Sequence, residues 1–174
     1  LNDDTDFGTN MKHSNPYKAE TKAIVENTNS EEERILAIYS LVREKIRWNE
    51  SYAFMGNNVR DAIKNGTGNN SQINVVLLNA LKDAGIAAYP VLMSIRPYGR
   101  LPDTHPSLDK LSTFIVAAET YDGNYFYMDG SAIYGGLNVL PVNLLVDRAR
   151  IFNNKQGNKW VDLTNITKNQ QTIM

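Results

Sequence analysis

The 174-residue chain contains no cysteine. That single absence excludes disulfides, thiolate metal sites and thiol nucleophiles together. It fixes no compartment, because secreted proteins also dispense with cysteine. Histidine is nearly as scarce: His13 and His105 are the only imidazoles. The net charge of −1 at pH 7 gives no electrostatic footprint for nucleic acid or an anionic membrane. No apolar run reaches the roughly 18 residues that span a bilayer. Like charges do not accumulate beyond Glu31 to Glu33, which reads as the acidic first turn of a helix. The opening LNDDTDFGTN has neither Met nor a charged-then-apolar leader, so a fragment of a longer protein is expected.

What is present is an apolar fraction of 42%, enough for the core of one ordinary domain. Residues 1–15 are polar and aperiodic, as in an arm or linker. A short helix is expected from Pro16 through YKAETKAIVEN. A second, stronger one follows Ser30, which with Glu33 forms a capping-box pattern. Ile35, Ile38, Tyr39, Val42 and Ile46 then fall on one helical face. NNVRDAIKNG predicts a short helix closed near Gly66. The helix after Ser71 is apolar nearly all round, as buried helices are, with Gly85 placed to supply a left-handed cap.

Beyond this helix the pattern turns to strands. Ala87 to Ile95 reads as one, and Ser112 to Gly130 as a β-hairpin about YDGN. A Pro-rich loop lies between them, and a further hairpin is expected around Gly157. Helices first and antiparallel strands second indicate an α+β fold.

Three segments in this order resemble one family. They are GTGNNSQINVVLLNALKDAGIAAYPVLMS, STFIVAAETYDGNYFYMDGSAIY and LNVLPVNLL. They are similar to the transglutaminase-like domain, in the form found in large exported proteins of Bacteroidetes-type bacteria. The resemblance implies a papain-like core in which N-terminal helices and a buried central helix pack on an antiparallel sheet. It implies a domain over residues 16–163, with a tail at 164–174 leading to another domain. It also implies a periplasmic, cell-surface or secreted location, and neighbouring domains of the same parent protein as partners.

The family places a Cys at the start of the buried helix and a His and an Asp on neighbouring strands. A helix N-terminus lowers a thiol's pKa, the His acts as base and then acid, and the Asp orients it. In this sequence the Cys position falls on Asn70 and the His position on Phe114. The Asp position falls on Asp129, and the acidic residue often found two places after the Cys is Gln72. Thr113, beside Phe114, is equally unable to act as a base. The resemblance therefore implies a degenerate triad and a domain that is no longer an enzyme. It would then be a binding or structural module, with no cofactor and no metal, whose ancestral cleft could hold a peptide or a glycan.

Each position also has a plainer reading. Asn70 suits a helix N-cap or a turn, and Ser71 a cap. Asp129 before Gly130 suits a turn carboxylate, or a remnant of the site bonded to Asn70 or Thr113. Asn69, Asn70, Ser71, Thr113, His105 and Trp48 are the residues expected to line a binding site. The alternative with chemistry is an acyl hydrolase or transferase in which His105 activates Ser71. Asp103 and His105, two apart in a loop, are a weak metal pattern. Trp48, Tyr52 and Phe54 suit core or cleft lining.

Overall fold

The structure, a computed structural model, describes residues 14–54, 58–95, 111–153, 157 and 159–166. His13, Asp103 and His105 lie outside the described residues, as does most of the Pro-rich loop.

Four helices come first: α1 (Lys18–Asn27), α2 (Glu31–Lys45), α3 (Val59–Asn65) and α4 (Asn70–Asp83). Two short parallel strands accompany them, β1 (Arg47–Trp48) and β2 (Thr67–Gly68). Then come β3 (Ala87–Met93), β4 (Thr113–Glu119), β5 (Tyr125–Met128), β6 (Ala149–Ile151) and β7 (Lys159–Val161). These five form one antiparallel sheet in the order β5-β4-β3-β6-β7. The expected α+β architecture, with a central helix on an antiparallel sheet, is the one observed.

The central helix α4 is the hub. It packs on β3 and β4 on one side and on α2 and α3 on the other. Its side chains Ile73, Val75, Val76, Leu77, Leu78, Ala80 and Leu81 are all buried. Burying each of the larger ones contributes about 1.5–3 kcal/mol. The helix ends as its sequence predicts: Gly85 adopts φ 80° and its N–H donates to the Lys82 carbonyl. Gly66, at φ 67°, closes α3 in the same manner.

Strand alternation divides the core in two. Phe114, Val116 and Ala118 of β4 face the helices, whereas Ile115 and Ala117 face a second apolar cluster with Val91, Met93 and Ile151. Because both faces of β3 and β4 are covered, these strands read as continuous apolar runs. Ile166, within the expected tail, packs into this second cluster, and Asn15, at the end of the expected arm, is buried against Thr21 and Asp83. The sheet curls. Lys159 of β7 lies over the ring of Tyr125 of β5, 4.7 Å from its centroid, although these strands are its two edges.

One edge is closed by a side chain. Asn138, at φ 59°, donates its N–H to the Tyr127 carbonyl and accepts the Tyr127 N–H on its own Oδ1 (both 2.8 Å). It thus occupies the outer hydrogen-bonding positions of β5 at Tyr127.

Candidate functional site

The start of α4 is built by a tight approach. Gly68 ends β2 where an added Cβ would lie 2.8 Å from both Ala62 Cβ and Gln72 Oε1, so only glycine fits. Asn69 then caps the helix. Its Oδ1 accepts the Gln72 N–H (2.9 Å), and Gln72 Oε1 accepts the Asn69 N–H (2.8 Å). The cap is therefore Asn69, one residue before Asn70, and Gln72 completes the box. Ser71 lies inside the helix rather than capping it.

The chain at residues 51–53 crosses this helix start. Asn70 N–H donates to the Ser51 carbonyl (3.2 Å), and Asn70 Oδ1 accepts the Ala53 N–H (2.8 Å). Ser71 Oγ donates to the Ala53 carbonyl. The Asn70 N–H, the Asn70 Oδ1 and the Ser71 hydroxyl are thus engaged by the protein's own backbone.

One turn further along the same face sits Asn74, which is fully buried. Its Nδ2 donates to the Phe114 carbonyl (2.9 Å) and to Asp129 Oδ1 (3.0 Å), and its Oδ1 accepts the Gly130 N–H (2.8 Å). Asp129 Oδ1 also accepts from the Ser131 N–H (3.0 Å) and Oγ (2.7 Å). Tyr39 of α2 donates its hydroxyl to the Asp129 carbonyl (3.1 Å). Asp129 is completely buried, and burial pushes its carboxyl above the ordinary value. The Ser131 hydrogen bonds, the Asn74 amide and the Arg43 charge oppose that shift.

Asn74 therefore links α4, β4 and the end of β5, the three elements that carry Asn70, Phe114 and Asp129. Asp129 is held by Asn74 and Ser131, rather than by Asn70 or Thr113. Phe114 is packed in the core. Three buried polar atoms, Asn70 Nδ2, Thr113 Oγ1 and Asp129 Oδ2, have no hydrogen-bond partner. The arrangement can orient and hydrogen-bond, and the positions of Asn70, Thr113 and Phe114 supply neither a thiolate nor an imidazole.

Trp48 borders this buried group, since its indole N–H shares the Ser51 carbonyl with the Asn70 N–H. Its Nε1 donates to the Ser51 carbonyl (3.0 Å), its ring lies 5.2 Å from that of Tyr52, and it lines a surface pocket of about 330 Å³. Sequence reasoning missed Asn74. The available signal was an amide interrupting the apolar stretch of α4, four residues after Asn70. Among the described residues no group of three His, Asp or Glu could hold a metal ion, and no helix is long and apolar enough to cross a membrane.

Residues 18–130 match the model of the transglutaminase-like superfamily. A solved structure from Parabacteroides distasonis, named as a candidate protease, superposes on 90% of this chain with a TM-score of 0.63 at 14% identity. This chain spans 30% of that structure's length. No curated protein sequence matches the chain at a significant level.

Proposed function

The chain belongs to the transglutaminase-like superfamily, and from that premise we propose that it is a member without acyl-transfer chemistry. It serves as a binding or structural module of a larger exported bacterial protein. The observation that carries this reading is the Asn74 bridge. It joins the Phe114 carbonyl to the Asp129 carboxyl one helical turn from Asn70, which bonds instead to Ser51 and Ala53, so two of the three family positions share one buried network and the third lies on the same helix beside it. Two of those positions hold an amide and a phenyl ring, neither of which can attack a carbonyl or accept its proton. The Asp retains a carboxylate with no imidazole to orient. The module reading draws on the Parabacteroides distasonis structure, in which a domain of this fold is part of a much longer chain.

The test is direct. The protein is incubated with a glutamine-bearing peptide and a fluorescent amine, with a fluorogenic peptide library, and with an acyl-type serine probe. Neither amine incorporation nor cleavage above the buffer rate is expected, and no labelling. Turnover in either assay would overturn the proposal. Labelling lost in Ser71→Ala would replace it with a serine mechanism, although the Ser71 hydroxyl donates to the Ala53 carbonyl.

A further inference from the structure

We propose that the pocket beside Trp48 is a binding site for a small organic carboxylate that also carries a hydroxyl or ammonium donor. The inference rests on the binding-module reading above and names the ligand for it. The pocket, about 330 Å³, lies where the end of α2, β1 and the turn after Asp129 meet. That volume is at the lower end of the range for small-molecule sites, about 300–1,000 Å³. It accommodates a monosaccharide-sized molecule or one chain terminus.

Its walls supply two guanidinium groups. Arg43 Nη2 donates to the Ile133 carbonyl (2.7 Å), and its Cζ stands 5.3 Å from the centroid of the Tyr39 ring. These contacts fix Arg43 while using only part of its donor set, since a guanidinium carries five N–H groups. Arg47 is exposed, and among the described residues its side chain has no ion-pair partner. Its main chain is nevertheless anchored, because its N–H donates to the Gly66 carbonyl (2.9 Å). Arg43 and Arg47 both line the pocket, and guanidinium groups suit the planar, two-oxygen geometry of a carboxylate.

The opposite requirement comes from Glu50. This residue adopts φ 67°, a left-handed conformation uncommon for a residue with a side chain. The bend is held on both sides: Trp48 Nε1 donates to the Ser51 carbonyl, and the Ser51 N–H donates to Asn49 Oδ1 (both 3.0 Å). Residues held in such backbone regions cluster at binding sites, where the surroundings over-determine them. Here the residue at the bend, which carries a carboxylate, lines the same pocket as the two arginines. Its ligand therefore needs a donor as well as an anion. Trp48, fixed by its indole hydrogen bond and by Tyr52, supplies an aromatic surface for the ligand body.

The carboxylate could belong to a sugar acid or to a peptide C-terminus, and the probes separate the two. Calorimetry with the whole chain would compare glucuronate with glucose, and alanyl-alanine with alanyl-alaninamide. At least one acid should bind, and at least tenfold more tightly than its neutral counterpart. The acid that binds identifies the source. Arg47→Ala should weaken that acid at least tenfold and leave the thermal midpoint unchanged, because the side chain is exposed. In a Trp160→Phe background, Trp48 is the sole indole, and its fluorescence should change on binding. Failure of both acids to bind, equal binding of acid and neutral partner, or unchanged affinity in Arg47→Ala would each overturn the assignment. Because the turnover assays do not read this pocket, failure here leaves the loss of chemistry standing.

Discussion

Asn70 and Leu81 occupy opposite ends of one helix, and both are fully buried. The two ends are held by different physics. Leu81 belongs to the apolar core, and there the helix is retained by removing apolar surface from water. Around Asn70 the contacts are directional: Asn70 and Asn74 donate to Ser51, Phe114 and Asp129 and accept from the Ala53 and Gly130 N–H groups. Three of the unpartnered buried polar atoms, Asn70 Nδ2, Thr113 Oγ1 and Asp129 Oδ2, belong to this polar region, and a fourth, Asn79 Nδ2, lies two residues from Leu81. Apolar packing tolerates any filler of the right volume, whereas a polar network fixes angles and penalises each atom left out.

Three substitutions break or sharpen this contrast. The largest effect is expected for Asn74→Ala. It strips partners from Phe114, Gly130 and the buried Asp129 carboxyl together, and should cost about 4 kcal/mol, read from urea denaturation. A cost below about 1 kcal/mol would mean that the network contributes little to stability. Leu81→Ala, at the apolar end, should cost about 3 kcal/mol through lost transfer energy and a residual cavity. The two losses should add, since the sites share no partner.

The third substitution isolates charge. Burial holds the Asp129 carboxyl above its ordinary value, so the folded state binds this proton more tightly than the unfolded chain. The associated stability is fully present below the unfolded-state pKa and is lost as pH rises through the folded value. Asp129→Asn removes that titration. The stability of the parent relative to the variant should therefore fall as pH rises above about 4, by no more than about 1.4 kcal/mol per pH unit. A rising difference would show that hydrogen bonds to the carboxylate outweigh its burial.

Most of the fold was legible because period and punctuation agree. The 3.6-residue spacing from Ile35 to Ile46, the left-handed glycines Gly66 and Gly85, and the YDGN turn each mark an element found in the structure. The hairpin about Gly157 was also readable: β6 and β7 pair across it, and Gly157 has φ 83°. Capping was read half correctly. Ser30 Oγ accepts the Glu33 N–H (3.1 Å), but Glu33 reaches back to Asn29 N–H (3.1 Å) instead of to Ser30. The reciprocal box forms at Asn69 and Gln72, where an amide pair replaces the more familiar hydroxyl and acid. The parallel pairing of β1 with β2 left no signal, since two residues are too few for any period. The Arg43–Arg47–Glu50 pocket was equally silent, because it joins a helix end to a turn more than eighty residues away in the sequence.

Asn138 has a consequence for how such a chain behaves among others. A strand edge with open amides and carbonyls templates the addition of a foreign strand, which is the first step of aggregation. At Tyr127 both groups are already taken by one asparagine. Lys159 places a charge on the strand at the opposite edge. Crowded against sheet-rich neighbours at high local concentration, the domain presents a β5 edge that a foreign strand cannot extend at Tyr127 without displacing Asn138.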